Sequence, residues 1–138
     1  MSKKPTVAII GLGYVGLPFL RLLCLKKFNV FGFDIDEDKI RLLKKNKSYI
    51  SDIKNNQLRV VEKDKLFFIN KIEKIKQSDF IILCLPTPLD KRKRPDMSKI
   101  IKAFNIMKPY LKKKQTIILE STVYPGATRN IFSPFISK

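Results

Sequence analysis

The chain has 138 residues, which is enough for one hydrophobic core and too few for a second domain of ordinary size. Its 29 Lys and Arg against 12 Asp and Glu give a net charge of +17, but these cations are scattered and not interleaved with aromatic residues, so no specific nucleic-acid binding is expected. Histidine is absent, so any general base must be a carboxylate, lysine, tyrosine or thiol.

A strand, a turn, a helix and a second strand are predicted at the start of the chain. Residues 7–10 are an apolar run, residues 17–27 repeat apolar side chains at helical spacing, and residues 30–33 are a second apolar run. A glycine-rich turn with the pattern GxGxxG, residues 11–16, connects the first strand to the helix. This order of elements around this pattern is typical of dinucleotide binding.

The three glycines of the turn and the acid after the second strand have separate roles in that hypothesis. Gly11 permits the tight turn, Gly13 lets the backbone approach a pyrophosphate, and Gly16 lets the helix pack closely on the strand. The phosphates then lie at the helix N-terminus, where unpaired N–H groups and the helix dipole favour an anion. Asp34 is placed to accept hydrogen bonds from both adenosine-ribose hydroxyls and to repel a 2′-phosphate, which favours NAD over NADP. The alternative is a structural turn, with Asp34 as a solvated strand end.

The rest of the chain continues the alternation of helices and strands. Further helices are predicted at residues 37–45, 57–63, 71–77, 97–111 and 127–136, and further strands at residues 66–69, 79–85 and 115–120. This alternation predicts an α/β fold, a Rossmann-type doubly wound parallel sheet, and right-handed crossovers give the strand order 3-2-1-4-5. Ligands of such sheets bind outside the carboxyl ends of the strands, here between strands 1 and 4.

Two cysteines, Cys24 and Cys84, lie in apolar segments without a CxxC spacing. They indicate packing residues in a reducing compartment, with neither a disulfide nor a metal site. No apolar run approaches the roughly 20 residues that a membrane-spanning helix needs. We therefore expect a cytoplasmic protein that binds no membrane and no metal.

The chain carries three separated motifs that together closely resemble the N-terminal domain of the UDP-glucose/GDP-mannose dehydrogenase family. They are VAIIGLGYVGLPF followed by GFDID, FIILCLPTPLD followed by RPDMS, and ILESTVYPGAT. The pairing of PTPL with ESTVYPGAT is most similar to the UDP-N-acetylglucosamine 6-dehydrogenase branch. The resemblance implies an NAD-dependent oxidoreductase that oxidises the C6 hydroxyl of a UDP-sugar to a uronic acid in two hydride transfers, for polysaccharide biosynthesis.

The resemblance also implies roles for residues at the adenosine half of NAD. Four residues match the positions that hold the pyrophosphate: Gly11, Tyr14, Val15 and Gly16. Asp34 matches the position that holds the adenosine ribose, with Lys39 near the adenosine end. The alternative for Lys39 is a plain surface lysine.

At the nicotinamide half, the resemblance places Pro86 and Thr87 beside the cofactor, with Thr87 close to the reaction centre. Glu120, Ser121 and Thr122 then line the same end of the crevice. Each has a structural alternative. Thr87 could cap a turn between two prolines, Glu120 could be a solvated strand end, and the hydroxyls of Ser121 and Thr122 could close a turn.

The family's nucleophilic cysteine and its catalytic lysine, asparagine and aspartate belong to middle and C-terminal domains that have no counterpart in residues 1–138. Neither Cys24 nor Cys84 has the glycine-rich setting of that cysteine, so no catalytic residue is assigned. We expect residues 1–138 to be a single truncated NAD-binding domain, inactive alone and dependent on the missing domains to bind a UDP-sugar. The alternatives are a non-catalytic nucleotide-binding or assembly module and, second, a basic nucleic-acid binder.

A truncated domain also leaves surface without a neighbour. The predicted fifth strand has no partner on one side, and Ile131, Phe132 and Phe135 of the last helix are expected to be uncovered. Exposed edges and apolar side chains favour association between copies. The sequence therefore predicts self-association.

Overall fold

A computed structural model of the protein, which describes residues 4–136, contains one parallel sheet of five strands. The strands are β1 (Thr6–Ile10), β2 (Asn29–Asp34), β3 (Leu66–Phe68), β4 (Phe80–Leu83) and β5 (Thr116–Leu119). Their order is β3-β2-β1-β4-β5, which confirms the predicted α/β class and strand order. The strand predicted at residues 79–85 is shorter, although the N–H groups of Asp79 and Cys84 still donate to the carbonyls of Thr6 and Ile10, both at 2.8 Å.

Four α-helical segments surround the sheet. They are α1 (Gly16–Leu25), α2 (Glu37–Lys44), α3 (Ser98–Met107) and α4 (Ser133–Ile136), the last following a π-helical turn at Thr128–Phe132. The helix predicted to extend to residue 111 ends at Met107 and is followed by a 3₁₀ turn at Lys108–Tyr110, because Pro109 has no N–H to donate to the α-helical hydrogen-bond ladder.

Two of the predicted helices are 3₁₀ segments. The prediction at residues 57–63 corresponds to Asn55–Val60, and the one at residues 71–77 to Ile69–Gln77. Lys71 interrupts the second segment with a non-helical φ of −103°. A short crossover between β3 and β4 is therefore built from tight turns instead of a regular helix.

Apolar side chains cover both faces of the sheet. Along β1, Val7 and Ile9 point to the layer that contains α1 and α2, whereas Ala8 and Ile10 point to the layer that contains α3. All five residues of β1 are buried, as expected for a central parallel strand. The carboxyl ends of the strands then share one edge of the sheet.

The last helical segment covers more of the sheet than the sequence indicated. The prediction that Phe132 is uncovered is wrong, because its ring stacks on Phe104 at 5.0 Å between centroids and is 2% exposed. Ile131 is half-buried, and the side chain of Phe135 lies outside the described residues. β3 and β5 form the two edges of the sheet, and self-association stays a prediction.

We expect Phe104→Ala to lower the free energy of unfolding by about 3–5 kcal/mol, because it removes a fully buried ring and leaves a cavity against Phe132. Urea denaturation followed by circular dichroism measures the change. Leu25→Ala, on the half-exposed outer side of α1, is the control and should cost about 1 kcal/mol or less. Equal losses in both variants would contradict this account of the core.

Candidate functional site

The glycine-rich turn after β1 brings the backbone into very close contact with itself. Gly11 has φ +95°, and a Cβ there would lie 2.6 Å from the carbonyl oxygen of Cys84. A Cβ at residue 16 would lie 1.8 Å from the carbonyl oxygen of Gly11. Gly13 differs, since a Cβ there would meet no atom of the described residues within 4 Å. The first and third glycines are therefore needed by the fold, and the second leaves open space above the turn.

The N-terminus of α1 is open to an anion. Within residues 4–136 no side chain caps it, and its first turn contains no acid. Tyr14 and Val15, which precede the helix, are both exposed. α2 is different, because the Asp36 carboxylate accepts from the N–H groups of Asp38 at 3.0 Å and Lys39 at 3.3 Å. The open N–H groups and the helix dipole of α1 fit a diphosphate.

Asp34, at the end of β2, is 7% exposed and is therefore no solvated strand end. Its Oδ2 accepts from the N–H of Leu12 at 2.8 Å, and its Oδ1 accepts from the N–H of Asp36 at 2.9 Å. A carboxylate has about four acceptor sites, so each oxygen keeps one for a ribose hydroxyl. The sequence predicted the ribose-facing role of Asp34 but gave no sign of its bond to the glycine turn.

Lys39 and Tyr49 lie beside this carboxylate. The ammonium of Lys39 is 4.0 Å from Asp34 Oδ2 and 5.5 Å from the centre of the Tyr49 ring, and its side chain is 34% exposed. Lys39 thus has two partners beside the candidate site, and its role at the adenosine end stays a prediction. The hydroxyl of Tyr49 donates to the carbonyl of Leu12.

Sequence reasoning missed Tyr49, because it belongs to the polar, turn-rich stretch at residues 46–56. The apolar side chains of Tyr49, Ile50 and Ile53 are the only signal that this stretch returns to the core. Ile50 and Ile53 are indeed buried with the α1 and α2 layer. Burial, with the nearby charges of Asp34 and Asp36, raises the pKa of Tyr49 well above its ordinary value.

A cleft of about 320 Å³ opens between the glycine turn, α2 and Tyr49. Its walls include Gly13, Tyr14 and Lys39. A larger open groove of about 740 Å³ runs along the β3 edge and is lined mainly by α2 and the segment that follows β3. No residue of the glycine turn lines that groove, so the smaller cleft is the one that adjoins the candidate site.

The other half of the candidate site consists of the loops after β4 and β5. Hydrogen bonds from side-chain hydroxyl groups connect these two loops. Ser121 Oγ donates to the Leu85 carbonyl at 2.8 Å and accepts from the Leu85 N–H at 3.1 Å. Thr87 Oγ1 donates to the Thr122 carbonyl at 2.7 Å. Glu120 is exposed, and its N–H donates to the Leu83 carbonyl at 2.9 Å. These contacts fix Pro86 and Thr87 at the same edge as the glycine turn.

The surroundings of both cysteines disfavour the thiolate form. Burial, together with the charge of Glu120, raises the pKa of Cys84 to about 11, and burial also raises the pKa of Cys24. Both thiols are free. Across the described residues, no three His, Cys, Asp or Glu side chains group as a metal site, and no helix has the length and apolar character to cross a bilayer.

Comparison with known proteins agrees with this geometry. A family model described as UDP-glucose/GDP-mannose dehydrogenase family, NAD binding domain, matches residues 5–138. The chain is 39% identical over 132 residues to a UDP-N-acetyl-D-glucosamine 6-dehydrogenase of Salmonella typhi, and 34% identical over 129 residues to a UDP-N-acetyl-D-mannosamine dehydrogenase of Methanococcus aeolicus. These alignments cover 96% and 91% of this chain, which spans only 30% and 29% of those proteins.

The same likeness extends to three dimensions. A solved ternary complex of GDP-mannose dehydrogenase from Pseudomonas aeruginosa matches with a TM-score of 0.83 at 27% identity. The match covers 95% of this chain and 31% of that chain.

Gly16→Ala and Gly13→Ala should have opposite effects on stability and binding. Gly16→Ala should lower the free energy of unfolding by several kcal/mol, about 3 or more, because the new methyl group meets fixed backbone. Gly13→Ala should unfold at nearly the wild-type urea concentration, yet lose NADH affinity because the methyl group occupies the space left for the pyrophosphate. Urea denaturation and NADH fluorescence titration measure the two effects. Wild-type NADH affinity in Gly13→Ala would contradict the assigned pyrophosphate position.

Proposed function

Because the chain belongs to the UDP-glucose/GDP-mannose dehydrogenase family and forms its NAD-binding domain, we propose that it holds NAD for the oxidation of a UDP-sugar at C6 to the uronic acid. The observation that carries this proposal is the buried Asp34 carboxylate beside the uncapped N-terminus of α1. Together they offer one acceptor for ribose hydroxyls and one cluster of N–H donors for a diphosphate.

The residues divide between the two halves of the cofactor. The backbone of residues 11–16 binds the pyrophosphate, and Asp34 binds the adenosine ribose, with Lys39 near the adenosine end. Pro86 and Thr87 flank the nicotinamide, and Glu120, Ser121 and Thr122 line that end of the crevice. NAD, when bound, supplies the hydride acceptor, and the chain orients it by fixing both loops at the carboxyl edge of the sheet.

The finer substrate assignment is UDP-N-acetylglucosamine. Its support is the PTPL and ESTVYPGAT motifs and the name of the Salmonella typhi relative. The relative from Methanococcus aeolicus, named for UDP-N-acetyl-D-mannosamine, makes that sugar the competing substrate. The two sugars differ in the configuration at one carbon, so a direct comparison of rates separates them.

The remaining groups needed for turnover are proposed to come from protein outside these residues. Burial raises the pKa of both thiols described above, which disfavours the thiolate that a cysteine nucleophile needs. We propose that the chain alone binds NAD without turnover. We also propose a cytoplasmic location, which its free cysteines support.

Asp34→Ala should weaken NADH binding by about 10–100-fold, because charge-assisted hydrogen bonds to the ribose are lost and the Leu12 N–H loses its acceptor. The preference for NADH over NADPH should fall in the same variant, since the carboxylate that repels a 2′-phosphate is gone. Fluorescence titration with both dinucleotides tests this. Asp64→Ala, an exposed aspartate remote in sequence, is the matched control and should bind like wild type.

The oxidation itself can be tested in a chimaera that carries residues 1–138 in place of the matching segment of the Salmonella typhi relative. With NAD and UDP-N-acetylglucosamine, absorbance should report two NADH per sugar oxidised, and UDP-N-acetylmannosamine should react more slowly. The isolated chain should bind NADH without oxidising either sugar. A folded chimaera that binds NADH but oxidises neither sugar would refute the substrate, whereas failure of the chain to bind NADH would refute the function itself.

A further inference from the structure

We propose that Tyr49, outside the glycine-rich motif, is a positioning residue that sets the affinity for the adenosine half of the dinucleotide. It does so through two contacts, one from its hydroxyl to the glycine turn and one from its ring to Lys39. The inference rests on the proposed NAD-binding role of the turn and adds a residue to it.

The first contact concerns the peptide groups on either side of Leu12, the residue between Gly11 and Gly13. The Leu12 N–H donates to Asp34 Oδ2 at 2.8 Å, and the Leu12 carbonyl accepts from the Tyr49 hydroxyl. The Leu12 side chain is completely buried. Both polar groups of this residue are therefore held by side chains from other parts of the chain, which fixes the conformation of the turn before a ligand arrives. Preorganisation of this kind raises affinity by removing an ordering cost.

The second contact concerns the position of a cation. Lys39 Nζ lies 5.5 Å from the centre of the Tyr49 ring and 4.0 Å from Asp34 Oδ2. The face of an aromatic ring attracts an ammonium, and a long lysine side chain otherwise samples many rotamers. The ring thus keeps the ammonium beside the one carboxylate that faces the ribose.

The two contacts are joined in one side chain that lies in the wall of the cleft beside Gly13 and Tyr14. The tyrosine hydroxyl keeps its proton at physiological pH, because burial and the charges of Asp34 and Asp36 raise its pKa. It consequently remains a donor to Leu12. A phenylalanine keeps the ring contact and loses the hydroxyl contact, whereas a leucine loses both.

The experiment measures NADH affinity of the chain by fluorescence titration, together with thermal stability, for Tyr49→Phe, Tyr49→Leu, Lys39→Met and the double variant Tyr49→Leu/Lys39→Met. We expect Tyr49→Phe to bind about fivefold more weakly and Tyr49→Leu about 20-fold more weakly. In the Lys39→Met background, Tyr49→Leu should lower NADH affinity only about fivefold, because only the hydroxyl contact remains to be lost. A role in stability alone would give the same factor with and without Lys39.

Tyr110 supplies the matched control. Its ring lies beneath the ammonium of Lys76 at 5.1 Å, but it packs on the opposite face of the sheet. Tyr110→Phe and Tyr110→Leu should leave NADH affinity unchanged even where they lower thermal stability.

The outcomes separate this inference from the proposed function. If wild-type protein binds NADH and Tyr49→Phe binds it equally well, the hydroxyl contact has no role and the inference is overturned. If Tyr49→Leu lowers NADH affinity by the same factor with Lys39 and with Met at position 39, the ring does not act through Lys39. The part of the inference that concerns the ring contact is then overturned. Tyr49→Phe keeps the ring, so it remains informative should Tyr49→Leu fail to fold. If folded wild-type protein does not bind NADH, the proposed function fails first.

Discussion

The site depends on the closeness of two backbone segments, the carbonyl of Gly11 and the Cα of Gly16. No side chain, not even a methyl group, fits between them, since an added Cβ would lie 1.8 Å from the carbonyl oxygen. This contact lets α1 begin directly above the end of β1, with its N–H groups at the carboxyl edge of the sheet. A looser turn would displace the helix and its partial positive charge from the place where the strands end. The anion site is therefore a consequence of backbone packing and needs no basic side chain.

Asp34 connects this turn to the neighbouring strand. Its carboxylate accepts from the Leu12 N–H, so the residue proposed to recognise a ribose also holds the loop proposed to bind the adjoining phosphates. A hydrogen bond to a charged group contributes about 1.5–3 kcal/mol, so this contact stabilises the observed conformation of the turn. The proposed ribose and diphosphate sites are consequently connected within one strand pair, β1 and β2.

The fold was largely predictable because its signals are local. Apolar runs marked all five strands, with glycine, proline or aspartate at the boundaries of β1, β2 and β4, and the handedness of crossovers then gave one sheet order. The glycine turn and Asp34 were predictable for the same reason, since spacing along one βαβ unit determines which residues meet. The contact from Tyr49 to Leu12 spans 37 residues and depends on how a turn-rich segment returns to the core, so no local pattern could reveal it. Phe132 was misjudged likewise, because its stacking on Phe104 is a contact between distant segments.

The large positive charge affects the rate of encounter with an anionic ligand and not the selectivity for it. Five of the 29 Lys and Arg residues, among them Arg41, Lys44 and Lys74, line the groove at the β3 edge, which no residue of the glycine turn lines. The groups proposed to contact the adenosine half of the dinucleotide are instead backbone N–H groups, one carboxylate and one lysine with two partners. A net charge of +17 raises the rate at which an anionic nucleotide meets the protein, and salt screens that effect over about 8–10 Å. Selectivity depends on short-range geometry, which salt screens far less, so the arrangement of a few residues indicates the ligand better than the net charge does.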